Sequence, residues 1–379
     1  MFKKNIFKIP TSLLYILFAL ILIRVTLPMI GKYAVNWYLK DKILPYTGRI
    51  EDFDLSILRG AYQFEGFVIE KYREDQKKKL DPLIKADLID VSLAWRALFK
   101  GRLLGDLNIN KAEITFLDGT KNNTQSGMEE DLSWKDVFVT LIPIDIEDLK
   151  IHNSIIAFKN YDLKEPINVY ISQIELRASN INNSERKSKT IFSDLNFSAK
   201  LQDQAPIHIK GSFDILSKIP AYDLSLTIKE FNLPIINKLL FAYGPVTFTR
   251  GNLSVYSEMA TQKTRVDGYV KAFFKNLDVV APKEVFDSFK HFLYEMVTAL
   301  GNLLLRSSEK KEIAFRVPIE GPITQLSVSG KEAFFSALKN TFKDEKLKEG
   351  LEKSISMEDV KKGKKPEASA EEKKKIKAL

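Results

Sequence analysis

A strand unit that occurs three times sets what this chain can fold into. It reads Leu107-x-Ile109-x-x-Ala112-x-Ile114-x-Phe116, then Leu149-x-Ile151-x-x-Ser154-x-Ile156-x-Phe158, then Val246-x-Phe248-x-x-Gly251-x-Leu253-x-Val255. Apolar residues that alternate at period two mark a strand with one buried face. The three-residue step in the middle of each copy flips that parity, so the backbone has to bulge or turn there. Asn110-Lys111, His152-Asn153 and Thr249-Arg250 are not turn pairs of the Asn-Gly type, which favours a bulge over a hairpin. The small residue after each step suits a crowded bend. The unit therefore predicts a large sheet with one apolar face, and what lies on that face is the functional question.

Charge excludes one class of partner. The net charge is +9, but residues 361–379 alone hold eight Lys against three Glu. Elsewhere basic residues are interleaved with Asp and Glu, and no basic stripe alternates with aromatics, so no nucleic-acid partner is expected. Without Cys there is no disulfide framework, thiolate metal site or thiol nucleophile.

Taken in order, the chain begins with an unbroken apolar run, Leu13–Ile23, then Arg24 and Val25–Ile30. Helix over residues 12–30 measures about 28 Å, close to a bilayer core, and Arg24 is expected to snorkel to the nearer interface. A cleaved signal peptide is the rival reading; no A-x-A-like site follows the run, which favours an uncleaved signal anchor. Lys3, Lys4 and Lys8 precede the span and Arg24, Lys32, Lys40 and Lys42 lie within or beyond it, so charge alone does not orient it. Aromatic residues from Tyr33 to Tyr38 suit a helix leaving the interface, which Pro45 ends. Short alternating strands follow, with a turn at Gly60 and a bulge at Gly66. A short helix over Leu233–Phe241 is expected to be capped by Asn232. An apolar-striped helix over 283–305 either packs on the open side of the sheet or serves as a membrane-surface helix or gate. A basic amphipathic helix over 331–353 and a tail, 354–379, disordered by composition, complete the chain. The count is roughly 15 to 18 strands after residue 48, a sheet on the order of 70–85 Å long.

Three stretches carry a family resemblance. Leu-Arg-Gly-Ala-Tyr-Gln-Phe-Glu-Gly at 58–66, Val-Ser-Leu-Ala-Trp-Arg-Ala-Leu-Phe-Lys-Gly at 91–101 and Ala-Glu-Ile-Thr-Phe-Leu-Asp-Gly at 112–119 resemble the N-terminal module of the AsmA-like superfamily. The match is to its short, single-anchor members, which are catalogued as a domain of unknown function. It extends to about residue 345, through the third repeat and the segment Phe315-Arg-Val-Pro-Ile-Glu-Gly-Pro-Ile. The resemblance implies a single-pass protein of the bacterial inner membrane, with residues 1–11 cytoplasmic, 12–31 the span and the main domain periplasmic. It also implies a long, curled, groove-like antiparallel sheet over 32–330 with an apolar inner face. Large members resemble bridge-like lipid transfer proteins and are linked to phospholipid traffic and outer-membrane integrity. This chain is far shorter, so local work at the inner membrane, or service as one segment of a larger assembly, is the expectation.

No catalytic or cofactor signature appears. His152, His208 and His291 are scattered, and there is no G-x-S-x-G, Walker loop or dinucleotide fingerprint. The expectation is a non-enzyme without cofactor or metal. The candidate lipid-binding groove is Ile109, Ile114, Phe116, Ile151, Ile156, Phe158, Phe248, Leu253 and Val255, with phospholipid acyl chains and the inner membrane as partners. Residues 331–379 are expected to meet an envelope protein. Two functions compete: a trough that carries acyl chains, and a structural envelope scaffold that docks proteins through edges and loops.

Overall fold

The structure, a computed structural model, describes residues 11–43, 46–56, 60–71, 82–93, 95, 104–117, 145–161, 163–181, 193–214, 221–243, 247–262, 265–280, 312–322 and 347–356. A helix α1 (Thr11–Asp41) precedes thirteen strands. These are β1 (Tyr46–Arg49), β2 (Asp52–Ser56), β3 (Ala61–Lys71), β4 (Ile84–Leu93), β5 (Leu104–Leu117), β6 (Asp145–Asn160) and β7 (Ile167–Ile181). Then come β8 (Ser193–Leu201), β9 (Ala205–Asp214), β10 (Ala221–Asn232), β11 (Thr247–Gln262), β12 (Arg265–Val280) and β13 (Glu312–Pro322). A 3-10 turn (Leu233–Ile236) and a short helix α2 (Asn237–Tyr243) separate β10 from β11. The expected helices 283–305 and 331–346 lie outside the described residues.

All thirteen strands form one curled, mainly antiparallel sheet in the order β1, β3 and onward to β13, with β2 beside β3. The fold is the mainly β architecture expected, and one pairing differs from it. The alternating stretches Ile167–Ile171 and Ile174–Leu176 are one strand, because a kink at Gln173 bends the backbone without ending its pairing. Among the described residues the path has twelve positions, about 53 Å across at about 4.8 Å per step. The pair β5–β6 is parallel. A parallel pair needs a crossover that returns the chain to its starting end, and residues 118–144 are long enough to make one.

That parallel pair carries the first two copies of the repeat side by side. Leu107 pairs with Leu149, Ile109 with Ile151, Ile114 with Ile156 and Phe116 with Phe158. The expected kink is a single residue with left-handed backbone: Lys111 at φ 49° and Asn153 at φ 50° in adjacent strands. Gly66 (φ 59°) and Gln173 (φ 50°) extend the bend into β3 and β7. In the third copy Gly251 has φ 148°, and register shifts against β12 flank its neighbour Arg250. Each kink strands a backbone donor, and buried serines recover two of them. Ala112 N–H donates to Ser154 Oγ (2.9 Å) and Glu230 N–H to Ser254 Oγ (3.0 Å). The small residues after the bends in β5 and β6, with Ala86 opposite Ala112, let the sheet close on its apolar side; Ala86 and Ser154 are buried.

At the first edge, α1 runs beyond the expected span to Asp41, passing Pro28. Pro28 removes one helical hydrogen bond but does not end the helix, which the packing of its second half holds in place. Leu39 is buried near Gly48 and Ile69, and Gly31 lies so close to the Phe53 ring that a Cβ there would meet Phe53 Cε1. Asn232 makes no side-chain cap; the turn after it opens with Pro234 at its start instead.

At the far edge, residues 347–353, expected to end a basic helix, are not helical. Leu347–Ser356 crosses β11, β12 and β13 on the face opposite the apolar one, and its backbone donors go to the sheet rather than to preceding carbonyls. Glu352 N–H donates to the Tyr269 hydroxyl (2.7 Å) and Lys353 N–H to Glu258 Oε1 (2.9 Å). Glu352 pairs with Arg316 (3.1 Å) and Lys271 (3.4 Å), and Glu349 with Lys275 (3.0 Å).

Candidate functional site

Register brings the repeat residues onto one face and shows how far that face reaches. Phe53, Phe64, Ile89, Ile109, Ile151, Leu176, Phe197, Ile209 and Leu226 are successive cross-strand partners from β2 to β10. Beyond the bend a second row runs Ile69, Ile84, Ile114, Ile156, Ile171 and Leu201. Five residues separate the two rows in β3, β5, β6 and β7, an odd step that would place them on opposite faces of a flat strand. The left-handed residue in each step restores the same face, and Ile156, Ile171, Phe197, Ile209 and Leu226 accordingly pack in one cluster.

Neither row is fully covered. Every residue of the first row from Phe64 to Leu226 is half-buried, unlike a core position. Phe116, paired with Phe158 beyond the second row, is 38% exposed. Its neighbour Thr115 is 1% exposed and faces the other side, where its hydroxyl reaches Glu113 (3.4 Å). Glu113 is held by Lys85 (2.6 Å) and Lys159 (3.3 Å). Burial raises the Glu113 pKa, and the two lysines outweigh it, holding the carboxyl below its ordinary value.

The opposite face is polar along its whole length. Gln63, Asp90, Asn108, Lys150, Arg177, Asn196, Lys210 and Ser225 are cross-strand partners from β3 to β10. Asp148 takes Lys150 (2.7 Å) and Arg177 (3.3 Å) on that side. At the bend, Glu175 accepts the Asn153 N–H (3.0 Å) and meets His152 Nδ1 at 2.6 Å. Burial of Glu175 works against ionisation; the Asn153 N–H and His152 overcome it and hold its pKa low. One face can thus hold apolar matter while the other stays wet.

The third copy of the repeat is placed differently. Phe248 is buried, and Leu253 packs with it beneath Leu233, Ile235, Ile236 and Leu240 of the turn and α2. Val255, opposite Ile228, is half-buried. Ile109, Ile114, Phe116, Ile151, Ile156 and Phe158 therefore share an open surface, whereas Phe248 and Leu253 lie under the chain's own helix. Sequence reading missed most of the surface, since Phe64, Ile89, Leu176, Phe197 and Ile209 lie in strands without the repeat; their period-two alternation was the available signal.

Among the described residues no group of three His, Asp or Glu side chains is placed to hold a metal ion. Among the described residues one helix, α1, is long and apolar enough to cross a membrane. No family model matches the chain, and no curated protein matches it.

Proposed function

We propose that this protein is a membrane-anchored lipid-binding protein whose curled sheet holds phospholipid acyl chains against its apolar face. One observation carries the reading. Eight apolar residues on eight neighbouring strands, Phe64 to Leu226, form a continuous row that is half-buried rather than closed over. A soluble sheet with an uncovered apolar face of that length carries a cost of about 25 cal/mol per Å² of exposed apolar area, and a bound acyl chain removes it at about 0.8 kcal/mol per methylene. The face offers area rather than directed donors, so it selects for chains over headgroups. The helix α1 supports anchoring next to a lipid source. The resemblance to AsmA-like proteins supports a bacterial inner-membrane anchor, a periplasmic body and a part in phospholipid transfer and envelope integrity.

Organic extraction of the purified full-length protein, followed by mass spectrometry, tests the reading. Co-purifying phospholipid in near-stoichiometric amount is expected. A lipid-free protein that takes up none from vesicles refutes it.

A second reading, an envelope scaffold, is favoured by a separate observation: the polar face of β11–β13 already binds a non-helical segment, Leu347–Ser356, through its two glutamates and its backbone donors. A lipid-free protein that captures a peptide partner at this face would support that role instead.

A further inference from the structure

The sheet is fastened to the part of α1 that a bilayer needs. The helix has 31 residues, about 46 Å at 1.5 Å per residue. Thr11–Ile23 is exposed throughout, and contact with the sheet begins at Arg24. Those free residues measure about 20 Å, some 10 Å short of a hydrocarbon core of about 30 Å. Toward the N terminus the sequence brings Lys8, Lys4 and Lys3. Toward the C terminus it brings the apolar Val25–Ile30 and then exposed Tyr33 and Trp37, the aromatic pair expected at an interface. The span is therefore completed by residues that already carry the sheet, and Arg24 lies about 9 Å inward of Ile30.

An arginine at that depth is tolerated when its donors are matched by a carboxylate or by backbone carbonyls. Arg24 has both: Nη1 donates to Asp54 Oδ1 (3.0 Å) and to the Leu55 carbonyl (2.7 Å). The chain from β1 to β2 runs down the helix in matching steps. Gly48 stands near Leu39, Ile50 at Asn36, Phe53 at Gly31 and Leu55 at Arg24. Each step goes deeper. At the end of this path Trp95 packs against Gly60 and remains 38% exposed.

We propose that the β2–β3 end of the sheet is inserted in the acyl region of the leaflet that α1 crosses, with Arg24 as the clamp. Acyl chains then pass sideways onto the apolar face beside Phe53, Leu55, Tyr62 and Phe64, which form its first aromatic cluster with ring centroids 5.3–6.3 Å apart for the three rings. The inference rests on α1 being a membrane span.

The chain has no Cys, so single-cysteine spin labels report on it directly. The full-length protein in vesicles of phosphatidylethanolamine and phosphatidylglycerol (about 3:1) carries a label at Leu55→Cys, Phe197→Cys or Phe241→Cys. Oxygen should relax the Leu55 label several-fold more effectively than a water-soluble nickel chelate, with the order reversed at Phe241. A Leu55 label as open to nickel as that at Phe241, or a chain extracted from the vesicles by carbonate, overturns the insertion. The Phe197 label separates the two readings. An apolar Phe197 with a wet Leu55 discards insertion and keeps the lipid-holding face; a dry Leu55 with a wet Phe197 keeps insertion and discards that face. Arg24→Ala should move the Leu55 label toward water, and Arg24→Asp with Asp54→Arg should restore its depth. An unchanged depth in Arg24→Ala removes Arg24 as the clamp.

Discussion

Asn36 on α1, at the first edge of the sheet, and Asn237 on α2, beside β11 in its interior, make the same contact. Asn36 Oδ1 accepts the Ile50 N–H (2.8 Å) while its Nδ2 donates to the Ile50 carbonyl (3.3 Å). Asn237 holds the N–H (2.8 Å) and carbonyl (2.7 Å) of Phe248. A primary amide has the donor and acceptor of a peptide unit, so each asparagine continues a ladder where a helix replaces the next strand. Together they fasten both helices to the sheet.

Replacing either asparagine with alanine leaves a part-buried peptide N–H and C=O without their partner. Asn36→Ala and Asn237→Ala should each cost about 1–3 kcal/mol in urea denaturation. Asn237→Asp keeps the acceptor but turns a carboxylate oxygen toward the Phe248 carbonyl, and should cost at least as much.

The kink in β5 places a lysine at φ 49°. Lys111→Gly removes the steric penalty of the left-handed conformation, about 1–2 kcal/mol, against an entropic cost of up to about 1 kcal/mol. Its exposed pair with Asp87 (3.1 Å) adds little. Thermal denaturation should find Lys111→Gly neutral to stabilising and Lys111→Ile destabilised by about 1–2 kcal/mol.

Removal of residues 347–379 should destabilise the domain rather than spare it, contrary to the expectation that this end only docks a partner. Lys271, whose side chain is 3% exposed, would lose Glu352. Removal also uncovers Lys271 to water, so the loss is that of the pairs and hydrogen bonds made by the segment, about 1–3 kcal/mol. Calorimetry on the truncated chain checks this.

The same segment should respond to acid. Lys275 holds Glu349 below its ordinary 4.5, and at Glu352 Arg316 and Lys271 outweigh a burial that acts the other way. With folded pKa values depressed, the stabilisation is complete above 4.5 and fades as pH falls below it. A spin label at Ser354→Cys should stay immobilised from pH 8 to 6 and become mobile as the pH drops below about 4.

Photo-crosslinkers at Ile109, Ile151 and Phe158 should capture phospholipid from vesicles, and those at His208 and Lys210 on the polar face should not. Thr115 and Ala157 are poor controls because both are almost fully buried, so a bulky label there would disturb the sheet. Equal capture from both faces would refute the assignment of faces.

The bends at Lys111 and Asn153 and the small residues after them were legible because a parity break in period-two alternation has one local cause. The continuity of β7 was not, since a bend and a strand end look alike in the sequence around Gln173. The parallel pairing of β5 with β6 was hidden because alternation says which face a residue takes, not which way its neighbour runs. Arg24 looked like a snorkelling charge, and only the fold brings Asp54 and Leu55 to it. For residues 347–353, helical periodicity gave way to tertiary partners: the Tyr269 hydroxyl and Glu258 carboxylate take the backbone donors a helix would have used.

Stacking two copies of one sequence unit in parallel register has a consequence for anything that slides over them. At the partly exposed heights of β5 and β6 the facing apolar residues are the same: Ile beside Ile twice, Phe beside Phe. A hydrocarbon tail shifted sideways by one strand, about 4.8 Å, leaves one set of contacts and meets an equivalent set. Its energy before and after the step is nearly equal, so this stretch of the sheet has little to trap it and gives it no preferred direction. Any net flow across it has to be set by what supplies and removes the tails at the two ends.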